Sequence, residues 1–364
     1  MALLPAASVQ PAPPPEWRPR RLLLTRSARD IEHGRAIAER AARLGVEIVE
    51  LAGDRLALDL PPDPRRAYAA AKATLAVVVA PPSKRRLQPI APSADWRVDL
   101  AEGCPAHCSY CYLAGSLKGP PITRVYANVE EILAGLPAYL GQGTVTSRSR
   151  ARAIEGTTYE ASCYTDPLAL EPLTGSLSAA IRWFGQWDAP AQLRFTTKFA
   201  DVAPLLALDH NGRTRMRASI NPRAFARFEG GTAPVASRLE ALGRMARAGY
   251  PVGLTIAPII AADGWQDAYS ALIDDAAGAL ADIPSLDLTI ELITHRFTSG
   301  SKAVLQSWYP GAALDMSDDR RVTKRAKFGG EKQVYDTATM RLLRTFFEDR
   351  IARALPAARI LYWT

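Results

Sequence analysis

The chain has 364 residues, 48% apolar and 23% charged. That balance belongs to a globular protein and excludes collagen, coiled coil and overall disorder. The length suits either two or more domains of roughly 150 residues or one (β/α) barrel with additions. No apolar run reaches the ~18 residues that span a bilayer, and the start lacks a basic segment followed by an apolar one. A cytoplasmic protein without membrane contact is therefore expected. Lys and Arg number 45 against 37 Asp and Glu, a net charge of +8, which favours a polyanionic partner. Candidate basic patches are Lys84-Arg85-Arg86, Arg148 to Arg152, and Arg320-Arg321 through Lys327; any one of them would serve equally as a solvated face.

Residues 1–20 are rich in Pro and Ala and are expected to form a mobile tail. Arg21–Thr25 and Val46–Leu51 read as strands around a helix at His33–Leu44, which Gly45 stops. With the apolar run Thr74–Val79, they make a small N-terminal α/β unit over residues 21–95. After Trp96 a rhythm of strands and helices begins. Strands are expected at Arg97–Ala101, Thr158–Ser162, Leu193–Thr197, Arg217–Ile220, Val252–Ala257 and Leu286–Ile293. Helices are expected near Val129–Tyr139, Leu168–Phe184, Ala200–Leu208, Ala236–Ala248 and Gly264–Ala281. Six strands interleaved with helices imply parallel β/α units, and six is too few to close a barrel of eight. The expected fold is α/β: an open, partial (β/α)6 TIM-like barrel over residues 96–300, with a doubly wound sheet as the alternative. Either fold puts its chemistry at the C-terminal ends of the strands.

The strongest chemical signal is Gly103-Cys104-Pro105-Ala106-His107-Cys108-Ser109-Tyr110-Cys111-Tyr112-Leu113, spaced C-x3-C-x2-C. It follows the first barrel strand. Thiolates are soft ligands suited to iron–sulfur or zinc, and zinc normally takes four ligands. Three Cys on a cubane [4Fe–4S] cluster leave one iron open to a small molecule. A zinc loop completed by His107 or Cys163 is the competing reading; otherwise His107 is a solvent-facing bystander. The fourth cysteine, Cys163, ends the second strand and should point into the barrel mouth. A lone Cys is usually a small buried apolar residue, yet a thiol near a carbon radical is also a good hydrogen-atom donor.

The cysteine spacing, with an aromatic before the last Cys, resembles the radical S-adenosylmethionine (SAM) superfamily. The chain from about Arg21 to Thr364 further resembles the spore photoproduct lyase family. That likeness is carried by Pro81 to Arg85, Gly103 to Leu113, Tyr126 to Leu133 and Glu160 to Asp166. It continues through Thr197-Lys198-Phe199, Ser219-Ile220-Asn221, Leu292 to Phe297 and Tyr362-Trp363-Thr364. The resemblance implies a [4Fe–4S] cluster on Cys104, Cys108 and Cys111, and SAM as a cofactor touching Thr165, Lys198 and Ser219. It implies a carbon–carbon lyase that reverts a cross-linked thymine dimer in DNA to two thymines. Cys163 would be the hydrogen donor, and Tyr110 and Tyr112 would take part in the return path. It implies damaged DNA and a low-potential flavodoxin- or ferredoxin-type donor as partners, and a monomer. A C-terminal extension over residues 301–364 would carry a lesion-contacting hairpin with Lys327, Phe328 and Lys332. Lys327 and Phe328 stand where the family has Arg and Tyr, which leaves open a radical SAM enzyme for a different nucleic-acid lesion. A non-catalytic DNA-binding protein with a structural or redox-sensing cluster is the reading from another class. Gly329-Gly330-Glu331 matches a SAM-contacting motif in letters only, because it follows all six strands, and it is read as a turn.

Overall fold

A computed structural model describes residues 17–116, 119–317, 321–325 and 330–364. The larger of its sheets has eight strands. In spatial order they are Arg359–Trp363, Leu288–Thr294, Val252–Ile259, Thr214–Ile220, Ala191–Thr197, Thr157–Ala161, Ala94–Val98 and Gln88–Ile90. All neighbours are parallel except the last pair. The six expected barrel strands lie side by side in chain order, as in a curled half-barrel, and strand 359–363 adds a seventh parallel member at one edge. Helices Ser176–Gln186, Val235–Arg247 and Trp265–Leu280 cover the outside. These strands are buried nearly throughout, as expected of parallel strands covered on both faces.

Two expected helices differ. The stretch Leu168–Phe184 is two helices, Pro167–Thr174 and Ser176–Gln186, because Gly175 takes a left-handed conformation between them (φ +64°). The stretch Ala200–Leu208 holds only a single tight turn at Ala203–Leu205, where Pro204 lacks the N–H that would extend it. A helix unread in the sequence, Pro64–Lys72, is capped by Asp63, whose Oδ1 accepts from the Arg66 N–H at 2.9 Å.

The smaller sheet has the order Glu47–Glu50, Arg21–Leu24, Thr74–Val78, Thr123–Tyr126, Ala101–Glu102. Its last two strands come from either side of the cysteine loop, so the chain passes between the sheets there and a boundary at residue 95 cuts through shared structure. Trp17 packs on this sheet's core, and the Arg20 N–H donates to the Ala73 carbonyl at 2.8 Å, so these two residues, expected in the tail, belong to this unit. Near the C-terminus, Arg321–Arg325 and Glu331–Tyr335 pair antiparallel as a hairpin. Lys327, Phe328 and Gly329 lie outside the described residues; Gly330 has φ +76°, as a turn requires.

Several basic residues that suggested a polyanion surface are committed elsewhere. Arg152 is buried against Glu155 (2.9 Å), and Lys84 and Arg85 pair with Glu102 and Glu131. Arg194, Arg215 and Arg217 lie inside the barrel with almost no exposure.

Candidate active site

The cysteine loop is held from three sides. Gly103 has φ +80°, and a Cβ there would stand 2.2 Å from the Ile122 carbonyl oxygen, so the turn into the loop requires glycine. His107–Cys108 pairs antiparallel with Glu229–Gly230, and the Ser109 N–H donates to the Phe228 carbonyl at 2.9 Å. Buried Lys72, from the unread helix, donates to the carbonyls of Cys104 and Ala106. His107 is half-buried, with Nδ1 3.1 Å from the Tyr68 hydroxyl, rather than solvent-facing as the sequence suggested.

The second strand meets this loop through Ser162, a non-glycine residue in the left-handed region (φ +54°). Its N–H donates to the Val98 carbonyl at 2.7 Å, and its Oγ accepts from the N–H groups of Leu100 and Ala101 at 3.0 and 3.2 Å. The end of the first strand and the turn carrying Cys163 are thus one hydrogen-bonded unit. Local strain of this kind persists only where the surroundings over-determine it, and it is concentrated at functional sites.

Asp166 ties the next pieces together. It caps helix 167–174 through the Ala169 N–H and accepts from the Thr197 hydroxyl at 2.8 Å and the Lys198 N–H at 2.7 Å. Lys198 Nζ then donates to Ser219 Oγ at 2.8 Å and to Glu229 Oε1 at 2.9 Å. Glu229 also accepts from the Tyr110 hydroxyl and pairs with Arg238 at 2.7 Å. Burial opposes ionisation of Glu229, but Lys198 and Arg238 outweigh it and hold the carboxyl at about 2.

One cavity of about 730 Å³ collects these groups. Its walls include Cys104, Cys108, Cys111, Cys163, Tyr110, Tyr112, Thr165, Lys198, Ser219 and Lys332, so every site residue expected from the sequence and described by the structure faces one space. Lys327 and Phe328 lie outside the described residues. Sequence reasoning missed Lys72, Asp166 and Glu229, and also the aromatic wall of Tyr68, Trp308 and Tyr309, in which Tyr68 stacks on Trp308 at 4.7 Å. Asp166 closed a stretch that carried the family likeness but was given no role of its own; for the others, partners distant in the chain create the role.

The donor set fits a cluster with an exchangeable ligand. All four cysteines are free thiols. Burial pushes Cys104 up to about 11 and Cys108 up to about 12, and it raises Cys111 as well. Such thiols stay protonated until a metal displaces the protons. Lys72 and Lys198 supply positive charge beside the loop. Among the described residues no three His, Cys, Asp or Glu side chains converge as they would on a single ion. A cubane takes one thiolate per iron and asks for no such convergence. The Thr165 hydroxyl is buried in the cavity wall without a hydrogen-bond partner among the described residues, an arrangement that a bound polar ligand would relieve.

A half-barrel with a three-cysteine loop after its first strand defines the radical SAM class of fold and site. A family model described as spore photoproduct lyase matches residues 17–364. Curated relatives named spore photoproduct lyase come from Geobacillus sp. (strain Y412MC61) and Bacillus subtilis (strain 168). Each is 37% identical over 91% of this chain and 94% of its own length. A spore photoproduct lyase variant solved with bound AdoMet and dinucleoside spore photoproduct superposes with a TM-score of 0.88. It shares 34% identity over 96% of this chain and 100% of that one. A second structure, complexed with dinucleoside spore photoproduct, matches equally well. The chain belongs to the spore photoproduct lyase family.

Proposed function

We propose that this chain is a radical SAM lyase that repairs DNA by reverting the spore photoproduct to two thymines. The observation that carries the reading is the shared cavity, whose lining holds both the three-cysteine loop and a fourth free thiol, Cys163. Cys104, Cys108 and Cys111 would hold a [4Fe–4S] cluster, and Thr165, Lys198 and Ser219 would hold SAM. Once bound and reduced by one electron, these cofactors supply a 5′-deoxyadenosyl radical able to take hydrogen from carbon.

The chain's own residues do the rest. Lys198 is a point charge suited to a carboxylate, and Glu229 and Ser219 fix its ammonium beforehand. Burial pushes the Cys163 thiol up, so it remains S–H at neutral pH and can give a hydrogen atom to the thymine allyl radical left after the cross-link breaks. Tyr110 and Tyr112 then return hydrogen to that sulfur; the Tyr110 hydroxyl is aimed by Glu229, and the Tyr112 ring lies 5.4 Å from the Arg296 guanidinium carbon. Lys332, on the cavity wall and on the C-terminal hairpin, would meet the lesion's backbone; Lys327 and Phe328 are assigned to the same task from the sequence alone.

DNA is the macromolecular partner, and its binding should weaken with salt as phosphate contacts are screened. Taking the damaged dinucleotide out of the stack costs a few kcal/mol, least at a site already distorted. A low-potential flavodoxin- or ferredoxin-type protein supplies the electron, and the enzyme acts as a monomer in the cytoplasm; no helix among the described residues is long and apolar enough to cross a membrane. Incubation of anaerobically reconstituted protein with UV-irradiated dry DNA, followed by digestion and mass analysis, tests the substrate. Loss of spore photoproduct with gain of thymine is expected; consumption of a different lesion alone would assign another substrate.

A further inference from the structure

The strand Leu288–Thr294 runs into a histidine that the scheme above does not use. His295 belongs to the cavity lining, yet it is only 1% exposed. Its backbone is held at both ends: the N–H donates to the Ile259 carbonyl at 2.9 Å, and the carbonyl accepts from Arg321 Nη1 at 2.7 Å. The same guanidinium reaches the ring, with Nη2 3.0 Å from Nδ1. Arg321 comes from the C-terminal hairpin, where its guanidinium carbon stands 3.8 Å from the centroid of the Tyr335 ring across the strand pair. Phe297 exchanges backbone hydrogen bonds with Gln333 of that hairpin, so the hairpin is anchored on the residues that follow the strand. The other ring nitrogen, Nε2, is buried and has no hydrogen-bond partner among the described residues.

The chemistry of arginine decides where the ring hydrogen sits. A guanidinium has five N–H donors and no acceptor, so a ring nitrogen that meets it must offer a lone pair. Nδ1 is therefore bare, and the hydrogen is on Nε2. Burial, with Arg321 adding to it, pushes the imidazole down to about 3, so the ring is neutral at pH 7. The two nitrogens stand on different edges of the ring; with Nδ1 turned to the hairpin, Nε2 is turned away from it. The result is a fixed, neutral N–H donor in the cavity wall with its hydrogen bond unmade, a feature that a native interior rarely keeps without a use.

We propose that His295 Nε2 donates a hydrogen bond to a pyrimidine carbonyl of the lesion, and that Arg321 is the positioning residue that fixes the ring for it. The inference rests on the proposed lesion substrate. A thymine taken out of the stack gives up the partners of its carbonyl oxygens, and both rings of the spore photoproduct keep those oxygens. Arg296 and Lys332, on the same lining, carry positive charge and suit the phosphodiester; a neutral donor in a buried wall suits an uncharged oxygen. A ligand without an acceptor at that point would leave the N–H unpaired, so the contact also selects among lesions. Through Arg321, the hairpin that meets the lesion also sets the donor inside the cavity.

The test uses reconstituted, unreduced holoenzyme with SAM, which binds the lesion without turnover. Calorimetric titration compares two probes, the dinucleoside spore photoproduct without a phosphate and the same lesion with its phosphodiester. His295→Phe should weaken both about five- to fiftyfold, the worth of a buried hydrogen bond. His295→Gln, whose amide nitrogen can stand in for Nε2, should recover part of the loss. A 15N spectrum of histidine-labelled holoenzyme should contain one signal among the four histidines, missing in His295→Gln, with hydrogen on Nε2 alone. Its N–H proton should shift downfield when the dinucleoside is added, and Arg321→Met should convert it to a tautomer mixture. Wild-type affinity in both His295 variants, a loss confined to the phosphodiester-linked probe, or hydrogen on Nδ1 would overturn the proposal. An unchanged tautomer in Arg321→Met would remove the positioning role. Should His295→Phe fail to fold, an N–H signal indifferent to the dinucleoside would overturn the contact. If the wild-type holoenzyme binds neither probe, the lesion reading itself has failed and this inference falls with it.

Discussion

The barrel interior uses polar residues in two ways. In its lower half, charged side chains pair with one another, and three of them, Glu160, Arg217 and Glu291, also line the cavity. Arg194 meets Glu155 at 2.5 Å, Arg215 meets Asp287 at 2.5 Å, and Arg217 is gripped between Glu160 and Glu291. In the mouth, the Thr165 hydroxyl has no partner among the described residues, the Cys thiols are neutral, and Lys198, paired with Glu229, lines the cavity. Polar groups whose partners are all protein groups hold a structure together. A hydroxyl left without a partner on a cavity wall has bonding capacity to offer a ligand.

The contrast can be broken by mutation in both regions. The largest effect is expected in the mouth: Ala at Cys104, Cys108 or Cys111 should bring iron content and SAM cleavage down to background, measured by metal analysis and 5′-deoxyadenosine release. In the lower half, Arg217→Met should cost about 3–5 kcal/mol in chemical denaturation, because it leaves Glu160 and Glu291 buried without their shared cation.

A smaller effect is expected at Asp95, which bridges the floor to the following loop. It accepts from the Thr158 N–H and hydroxyl at 2.9 Å, from the Thr146 hydroxyl at 2.8 Å and from the Val145 N–H at 2.7 Å. Burial works against its ionisation, but these hydrogen bonds outweigh it and hold the carboxyl below its ordinary value. A depressed carboxyl stabilises the fold above the unfolded value of about 3.9 and loses that contribution as pH falls through the folded value. Asp95→Asn should therefore cost about 1.5–3 kcal/mol at pH 7. Its deficit against wild type should shrink below about pH 4 in pH-resolved denaturation.

The smallest effect on folding separates the two regions most sharply. Thr165→Val removes a hydroxyl that has no partner among the described residues, so stability should hold or rise slightly. SAM affinity should nevertheless weaken about two- to tenfold in a binding titration, the worth of one hydrogen bond. A loss of stability without a loss of affinity would place Thr165 with the floor.

This division also marks what could be read from the sequence. The six barrel strands were legible because parallel strands are near-continuous apolar runs, and the cysteine loop because its spacing is local. Cys163 could be found because it ends a strand, and Lys198 because it stands in a stretch that carries the family resemblance. Lys72, Glu229 and the buried arginines could not, because their roles depend on partners far away in the chain. Arg194, Arg215 and Arg217 counted in the sequence only toward the net positive charge, whereas their carboxylate partners come from other strands and loops. The extra parallel strand Arg359–Trp363 escaped for a similar reason: nothing near it in sequence indicates that it docks beside Leu288–Thr294.

The central claim, that the mouth houses a reducible cluster with SAM and turns over a thymine cross-link, is tested most directly by one assay. Anaerobically reconstituted protein is given SAM, dithionite and a synthetic spore photoproduct dinucleotide, and thymine release is measured alongside metal content. The account predicts iron and sulfide in the protein, 5′-deoxyadenosine dependent on reduction, and thymine accumulating over many turnovers. Purified protein that holds zinc in the cysteine loop, or that releases neither 5′-deoxyadenosine nor thymine, would contradict it.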